Sequence, residues 1–195
     1  MGNKPFRVVF VCTGNRCRSP YAGRLLASLT EGLPVTVESV GTLDSPGQPS
    51  PTELISIAGR GGIDLSAHGA VPMHPNSLAD ADLVIGFSFD HVSGAVVNGG
   101  ASRNVTFLLP ELTRLLEERP HASPSVENAD VVSRARALVD AADTHRGEDR
   151  AMSDAEVADP FGGRRRAYEA MVEEVDRHVY LLARRLFGSQ PSPFP

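Results

Sequence analysis

Residues 6–29, FRVVFVCTGNRCRSPYAGRLLASL, place an apolar run, a turn with two cysteines and two arginines, and an apolar helical pattern in direct succession. Few folds accommodate that order. The β-branched RVVFV (7–11) reads as a buried strand. Pro20 sits where a helix begins, with its φ already set, and YAGRLLASLTEG has helical spacing with Gly32 as its stop. A strand feeding a tight loop and then a helix N-terminus turns backbone N–H groups inward and adds positive helix-end potential. Together these make an anion cradle.

The loop chemistry follows from that cradle. Gly14 is expected to permit the sharp turn and a close backbone approach. Arg18 would grip two oxygens of a phosphate or sulfate. Cys12 would lie at the centre of the cup, where positive surroundings favour the thiolate and place it for in-line attack on phosphorus. Ser19 would donate a hydrogen bond to that sulfur and ease its departure later. A general acid is also required, and Asp159 in EVADPFGG, with Pro160 directing the loop, is the candidate. Alone, an Asp-Pro pair is an ordinary turn; its pairing with Cys12 lifts the acid reading.

Metal chemistry fits poorly. With only two cysteines, Cys12 and Cys17, a disulfide framework and a four-cysteine zinc site are both excluded. A mixed site needs nearby histidines, and the nearest in sequence is His68; no metal or cofactor is expected. A net charge of −5 argues against nucleic acid. No stretch approaches the roughly 20 apolar residues of a membrane span, and the N-terminal apolar run is too brief for a signal peptide. A cytoplasmic protein is expected. One lysine against many arginines, with abundant Ala and Gly, points to a GC-rich bacterial genome.

Beyond the first unit, VTVES (35–39), ADLVIGF (81–87) and NVTFLL (104–109) read as strands, and TELISIAGRGG (52–62) as a helix after a Gly/Pro loop. Strands alternating with helices predict an α/β fold with a doubly wound parallel sheet. PELTRLLEERP predicts a short helix. ADVVSRARALVDAAD puts Val131, Ala135, Leu138 and Ala142 on one face, and residues 144–163 read as a polar surface loop. The final helix starts near Arg164, buries Tyr168, Met171, Val175, Val179, Leu182 and Leu186, and ends at Gly188. One domain over 1–188 is expected, with an extra helical segment at 117–152 and a flexible tail at 189–195.

VCTGNRCRSP, with its Cys-x5-Arg-Ser spacing, and the downstream Asp-Pro resemble the low-molecular-weight protein tyrosine phosphatase family. ESVGT (38–42), GIDLSAH (62–68) and ADLVI (81–85) resemble it in order and spacing. The resemblance implies a four-stranded, flavodoxin-like sheet of order 2-1-3-4 with the phosphate loop between the first strand and first helix. It also implies metal-free phosphoryl transfer through a cysteinyl phosphate, with Cys12 as nucleophile, Arg18 as clamp and Asp159 as acid. Thr13, Gly14, Asn15, Arg16, Cys17 and Ser19 would then contact substrate, and Ser39 and His68 would support the loop.

The departures bear on substrate. LDSPGQP (43–49) lacks a pocket-walling aromatic, only Phe161 follows Asp159-Pro160, and Val71 stands where the family carries Arg. A common Met-Asp pair is replaced around Phe87 and Ser88. Substrates left open are a tyrosine-phosphorylated protein, a small phosphorylated metabolite and phosphoarginine, though relatives acting on the last favour a small hydroxyl residue where Arg16 stands. Arg16 itself is read as contacting a second anionic group. Arsenate reduction needs further cysteines, and a non-catalytic phosphate-binding module is the non-enzymatic alternative. Cys17 is a buried core residue, a family remnant, or a reversible disulfide partner of Cys12. Arg164–Arg166 form a solvated helical turn or steer anions, and the helix near 126–143 is extra packing or a lid. His74, His91, His121, His145 and His178 share no spacing and read as surface or partly buried.

Overall fold

β1 (Phe6–Cys12) has a strand on each side and helices over both faces, which is why all of its residues but Arg7 are buried. The structure, a computed structural model, describes residues 4–118, 129–146 and 156–189. Three further strands, β2 (Val35–Gly41), β3 (Leu83–Gly86) and β4 (Thr106–Leu108), run parallel to it in the order β2-β1-β3-β4. The expected α/β class and strand order are both present. The helices are α1 (Arg18–Leu29), α2 (Thr52–Arg60), α3 (Phe89–Val97), α4 (Leu109–Glu118), α5 (Val131–His145) and α6 (Arg165–Phe187).

The alternation of side chains along a strand divides the core in two. Phe6, Val8, Phe10 and Cys12 enter the larger apolar cluster, shared with α1, α2, α4, α5 and α6. Val9 and Val11 enter a smaller one with Val84 and with Ala95 of α3. The stripe predicted for α6 is buried throughout, and Gly188 takes a left-handed φ of 70° as its cap. α1 opens at Arg18, two residues before Pro20, the expected helix start, so Pro20 is its third residue.

Three local readings differ from the structure. α3 has no counterpart in the sequence reading, because Ser93, Gly94 and β-branched residues weaken its helical signal. β4 covers only Thr106–Leu108, with a 3-10 turn before it at Arg103–Val105. Pro110 and Glu111 start α4 at once, Leu108 N–H donating to Glu111 Oε2 at 3.1 Å. In α5, the buried face is Val132, Ala135, Val139 and Ala142, one position from the expected Val131 and Leu138, which lie half-buried at its margin. Asp130 sets that register by accepting from the N–H groups of Val132 and Ser133.

α5 joins the N-terminal ends of the strands. Arg136 pairs with Asp82 at 2.8 Å, and Arg146 donates to the carbonyls of Arg103 and Thr106. Residues 131–146 are therefore packing at the end of the sheet remote from the loop after β1. The rest of the expected 117–152 segment lies mostly outside the described residues, as do the loop before α5, residues 147–155 of the expected 144–163 loop and residues 190–195 of the tail. Among the described residues no helix is long and apolar enough to cross a membrane.

Leu182 is fully buried in the α6 stripe. Leu182→Ala is expected to lower the unfolding free energy by about 2–5 kcal/mol, measured by chemical denaturation.

Candidate active site

The loop joining β1 to α1 lies at the C-terminal edge of the sheet, where the order doubles back around β1. Open α/β sheets place their ligand crevice at such a point. Cys12 ends β1 with 2% exposure, and its Sγ is 3.0 Å from Ser19 Oγ. Asn15 Nδ2, which only donates, reaches Ser19 Oγ at 2.8 Å. The serine hydrogen then has two acceptors in reach, the Cys12 sulfur at 3.0 Å and the Val40 carbonyl at 3.4 Å, and the sulfur is the nearer.

Asn15 is the residue on which the loop turns. It is fully buried and adopts a left-handed φ of 49°. The sharp turn expected of Gly14 falls on Asn15 instead, since Asn tolerates the left-handed region and Gly14 has no such φ. Asn15 Nδ2 also donates to Ser39 Oγ at 2.9 Å, and Asn15 Oδ1 accepts the Val71 N–H at 2.8 Å. Its carbonyl accepts from His68 Nε2 at 2.7 Å. Burial lowers the His68 pKa. Ser39 and His68 thus stand behind the loop, as expected. The departure at Val71 leaves this network intact because only its backbone takes part.

Glycine is required at another place. A Cβ on Gly41 would lie 2.9 Å from Asn15 N and 3.0 Å from Thr13 O. β2 passes under the loop at van der Waals distance only because this residue has no side chain.

Arg18, the first residue of α1, is 5% exposed. Its Nη2 lies 2.7 Å from Asp159 Oδ2 and 3.4 Å from Thr13 Oγ1, and its Nη1 donates to the Val157 carbonyl at 3.1 Å. Its Nε is buried with no hydrogen-bond partner among the described residues. An orphaned buried guanidinium N–H at the mouth of a cradle is where an anion oxygen belongs. Asp159 arrives on a loop anchored by Val157, which is buried and donates its N–H to the Phe87 carbonyl at 3.0 Å. Asp159 Oδ1 in turn accepts the Phe161 N–H at 3.2 Å.

These groups surround a cavity of about 260 Å³. Cys12, Thr13, Gly14, Arg16, Cys17, Arg18 and Asp159 all line it, and Leu43, Gln48 and Phe161 form its outer wall. Asn15 and Ser19, expected to contact substrate, lie behind the loop because their side chains are used in holding it. Arg16 spans the mouth: its Nε donates to the Pro49 carbonyl at 2.8 Å, and its guanidinium carbon lies 4.7 Å from the Phe161 ring centroid. Cys17 is a free, buried thiol pushed up to about 12, first by burial and then by the charges of Asp159 and Cys12.

The structure corrects the reading of one histidine: His91, expected at the surface or partly buried, is buried beside the loop. His91, in the first turn of α3, is 2% exposed, and its Nε2 lies 2.9 Å from Thr13 Oγ1. Burial, and then the Arg18 charge, push it down to about 4. Nothing local in the sequence marks it, since its partner is 78 positions away. Of the other histidines, His74 is exposed, His178 is half-buried against Thr113, His145 ends α5, and His121 lies outside the described residues. Arg164–Arg166 are exposed, with Arg165 paired to Glu169 within α6.

The family model described as low molecular weight phosphotyrosine protein phosphatase matches residues 7–118. A protein-arginine-phosphatase of Bacillus subtilis is 34% identical over 106 residues, spanning 53% of this chain and 70% of that protein. One from Geobacillus stearothermophilus is 25% identical over 187 residues, 95% of this chain and 99% of its own. Among solved structures, a mutant of the YwlE arginine phosphatase with a phosphorylated active-site serine superimposes with a TM-score of 0.67. It is 26% identical and the match covers 92% of this chain and 95% of that one.

Gly41→Ala is expected to push the Thr13–Asn15 backbone outward and lower kcat/KM for an aryl phosphate by at least about tenfold while the chain still folds. Steady-state kinetics beside a thermal melt separates that outcome from simple unfolding.

Proposed function

The chain belongs to the low molecular weight phosphotyrosine protein phosphatase family and is a cysteine-dependent phosphatase, and we propose that Cys12, Arg18 and Asp159 carry its reaction. The Cys12 thiolate attacks phosphorus and forms the S–P bond as the P–O bond to the leaving group breaks. Asp159 supplies a proton to the departing oxygen. Water then attacks the cysteinyl phosphate, the Asp159 carboxylate takes its proton, and inorganic phosphate and the thiolate are released. Arg18 binds the non-bridging oxygens throughout, and the Ser19 hydroxyl stabilises the sulfur as it leaves. Supporting this above all is the meeting of Arg18 and Asp159, 141 positions apart, at 2.7 Å in the cavity that Cys12 floors.

For substrate, the favoured reading is phosphotyrosine in proteins. Leu43 and Phe161 line the cavity and supply apolar surface for an aryl ring, in place of the aromatic missing from residues 43–49. Phosphoarginine is the second reading, favoured by the activity named for the Bacillus and Geobacillus relatives. Against it, Arg16 puts a positive charge beside the position that a substrate guanidinium would take. With its Nε held by Pro49 and its face on Phe161, Arg16 keeps its terminal nitrogens for an acidic group flanking the phosphate. A chemistry that depends on free thiolate suits a reducing compartment such as a bacterial cytoplasm.

The wild-type protein is expected to hydrolyse p-nitrophenyl phosphate, Cys12→Ser to lose essentially all turnover, and Asp159→Asn to lose about 100-fold or more in kcat. No wild-type turnover anywhere from acidic to neutral pH would refute the reading. Arg16→Ala is expected to lower kcat/KM about three- to tenfold more for tyrosine-phosphorylated peptides with acidic flanks than for those with basic flanks. The same variant should gain relative activity on phosphoarginine peptides; unchanged kcat/KM on every substrate would remove Arg16 from recognition.

A further inference from the structure

We propose that the Thr13 hydroxyl is a hydrogen-bond donor to the phosphoryl group and that His91, buried behind the loop, is the positioning residue that makes it so. The proposal rests on the phosphatase reading above and adds two residues to it.

The inference comes from counting donors and acceptors. His91 Nδ1 lies 3.3 Å from the Phe87 backbone N–H, which can only donate, and 3.0 Å from Ser88 Oγ. Nδ1 therefore presents its lone pair, and the single proton of the neutral ring sits on Nε2. Burial and the Arg18 charge keep the ring neutral. Nε2–H then donates to Thr13 Oγ1 at 2.9 Å. The same oxygen receives Arg18 Nη2, another pure donor, at 3.4 Å. With two donors directed at it, the threonine oxygen has used both lone pairs, and only its own hydrogen remains to be placed. Thr13 lines the cavity with Cys12, Arg18 and Asp159, so that hydrogen is available to an anion there.

A donor oriented before the reaction begins costs no reorganisation as negative charge spreads over the non-bridging oxygens. Were Nδ1 the protonated nitrogen, the hydroxyl would instead turn its hydrogen toward Nε2 and away from the cavity. The fold makes room for the arrangement at Gly86. A Cβ there would lie 3.0 Å from both His91 Cβ and Val92 N, so glycine at the end of β3 lets the first turn of α3 close onto the loop. Ser88, standing where the family's Met-Asp pair is lost, helps hold Nδ1.

A double-mutant cycle on p-nitrophenyl phosphate hydrolysis tests the linkage. T13V and H91L are each expected to lower kcat/KM by about tenfold or more, the cost of one hydrogen bond to a charged group. The double variant should be no slower than the slower single variant, because both remove the same bond. H91Q, which presents an N–H near the position of Nε2, should recover most of the loss. Losses that multiply, or a T13V enzyme as fast as wild type, would overturn the proposal. A reading that does not depend on any variant folding is the ¹⁵N shift of the His91 ring in the wild-type protein. An Nε2–H tautomer is expected, and an Nδ1–H tautomer would overturn the proposal. A wild-type protein without turnover sinks the phosphatase reading itself, whereas full turnover with a multiplying cycle sinks only this one.

Discussion

The candidate site depends on one buried amide. Asn15 holds a left-handed backbone inside the protein, and its side chain spends its hydrogen bonds on Ser19, Ser39 and the Val71 N–H. A buried amide left unpaired costs about 1–3 kcal/mol per group, so the partners are as necessary as Asn15 itself. They come from α1, from β2 and from the segment carrying His68. The shape of the loop is thus enforced from three directions. Gly41, with no side chain to intrude, allows β2 to be one of them.

From that fixed loop the chemistry is divided by direction. Cys12 and Cys17 both line the cavity, yet only Cys12 has the Ser19 hydroxyl 3.0 Å from its sulfur, while burial raises the pKa of the Cys17 thiol. A thiol held protonated by burial is a poor nucleophile, which sets Cys17 apart from that role. Arg18 stands between the loop and the acid, bonded to Val157 and Asp159, and its Nε has no partner among the described residues. The acid loop is held by Val157, whose side chain lies in the main core and whose N–H pairs with the end of β3. The stability of the hydrophobic core and the placing of the proton donor are therefore linked.

Much of this was legible in residues 6–29, because a strand, a loop and a helix start that are contiguous in sequence are also contiguous in space. The α6 stripe was equally legible: an apolar period over 23 residues admits few alternatives. The reading weakened where signals were short or competing. α3, with nine residues and an internal Gly94, carries too little periodicity to stand out. In α5, apolar residues occur on adjacent positions, so the buried face was chosen by the Asp130 cap and by packing on α4 and α6. Gly14 drew the turn by its type, yet the turn went to Asn15, whose side chain has three hydrogen-bond partners in Ser19, Ser39 and the Val71 N–H.

By itself, then, the sequence determined the α/β class, the parallel sheet, and a cysteine and an arginine on one anion-binding loop. Each follows from local periodicity and backbone geometry over a few residues. Tertiary structure decided that Asp159 meets Arg18, that Arg16 bridges Pro49 and Phe161, that Asn15 and Ser19 face inward, and that His91 reaches Thr13. Those meetings join residues up to 141 positions apart. No local preference encodes them; they exist because burying the faces of the sheet leaves the chain one compact way to bring its loops to the same edge.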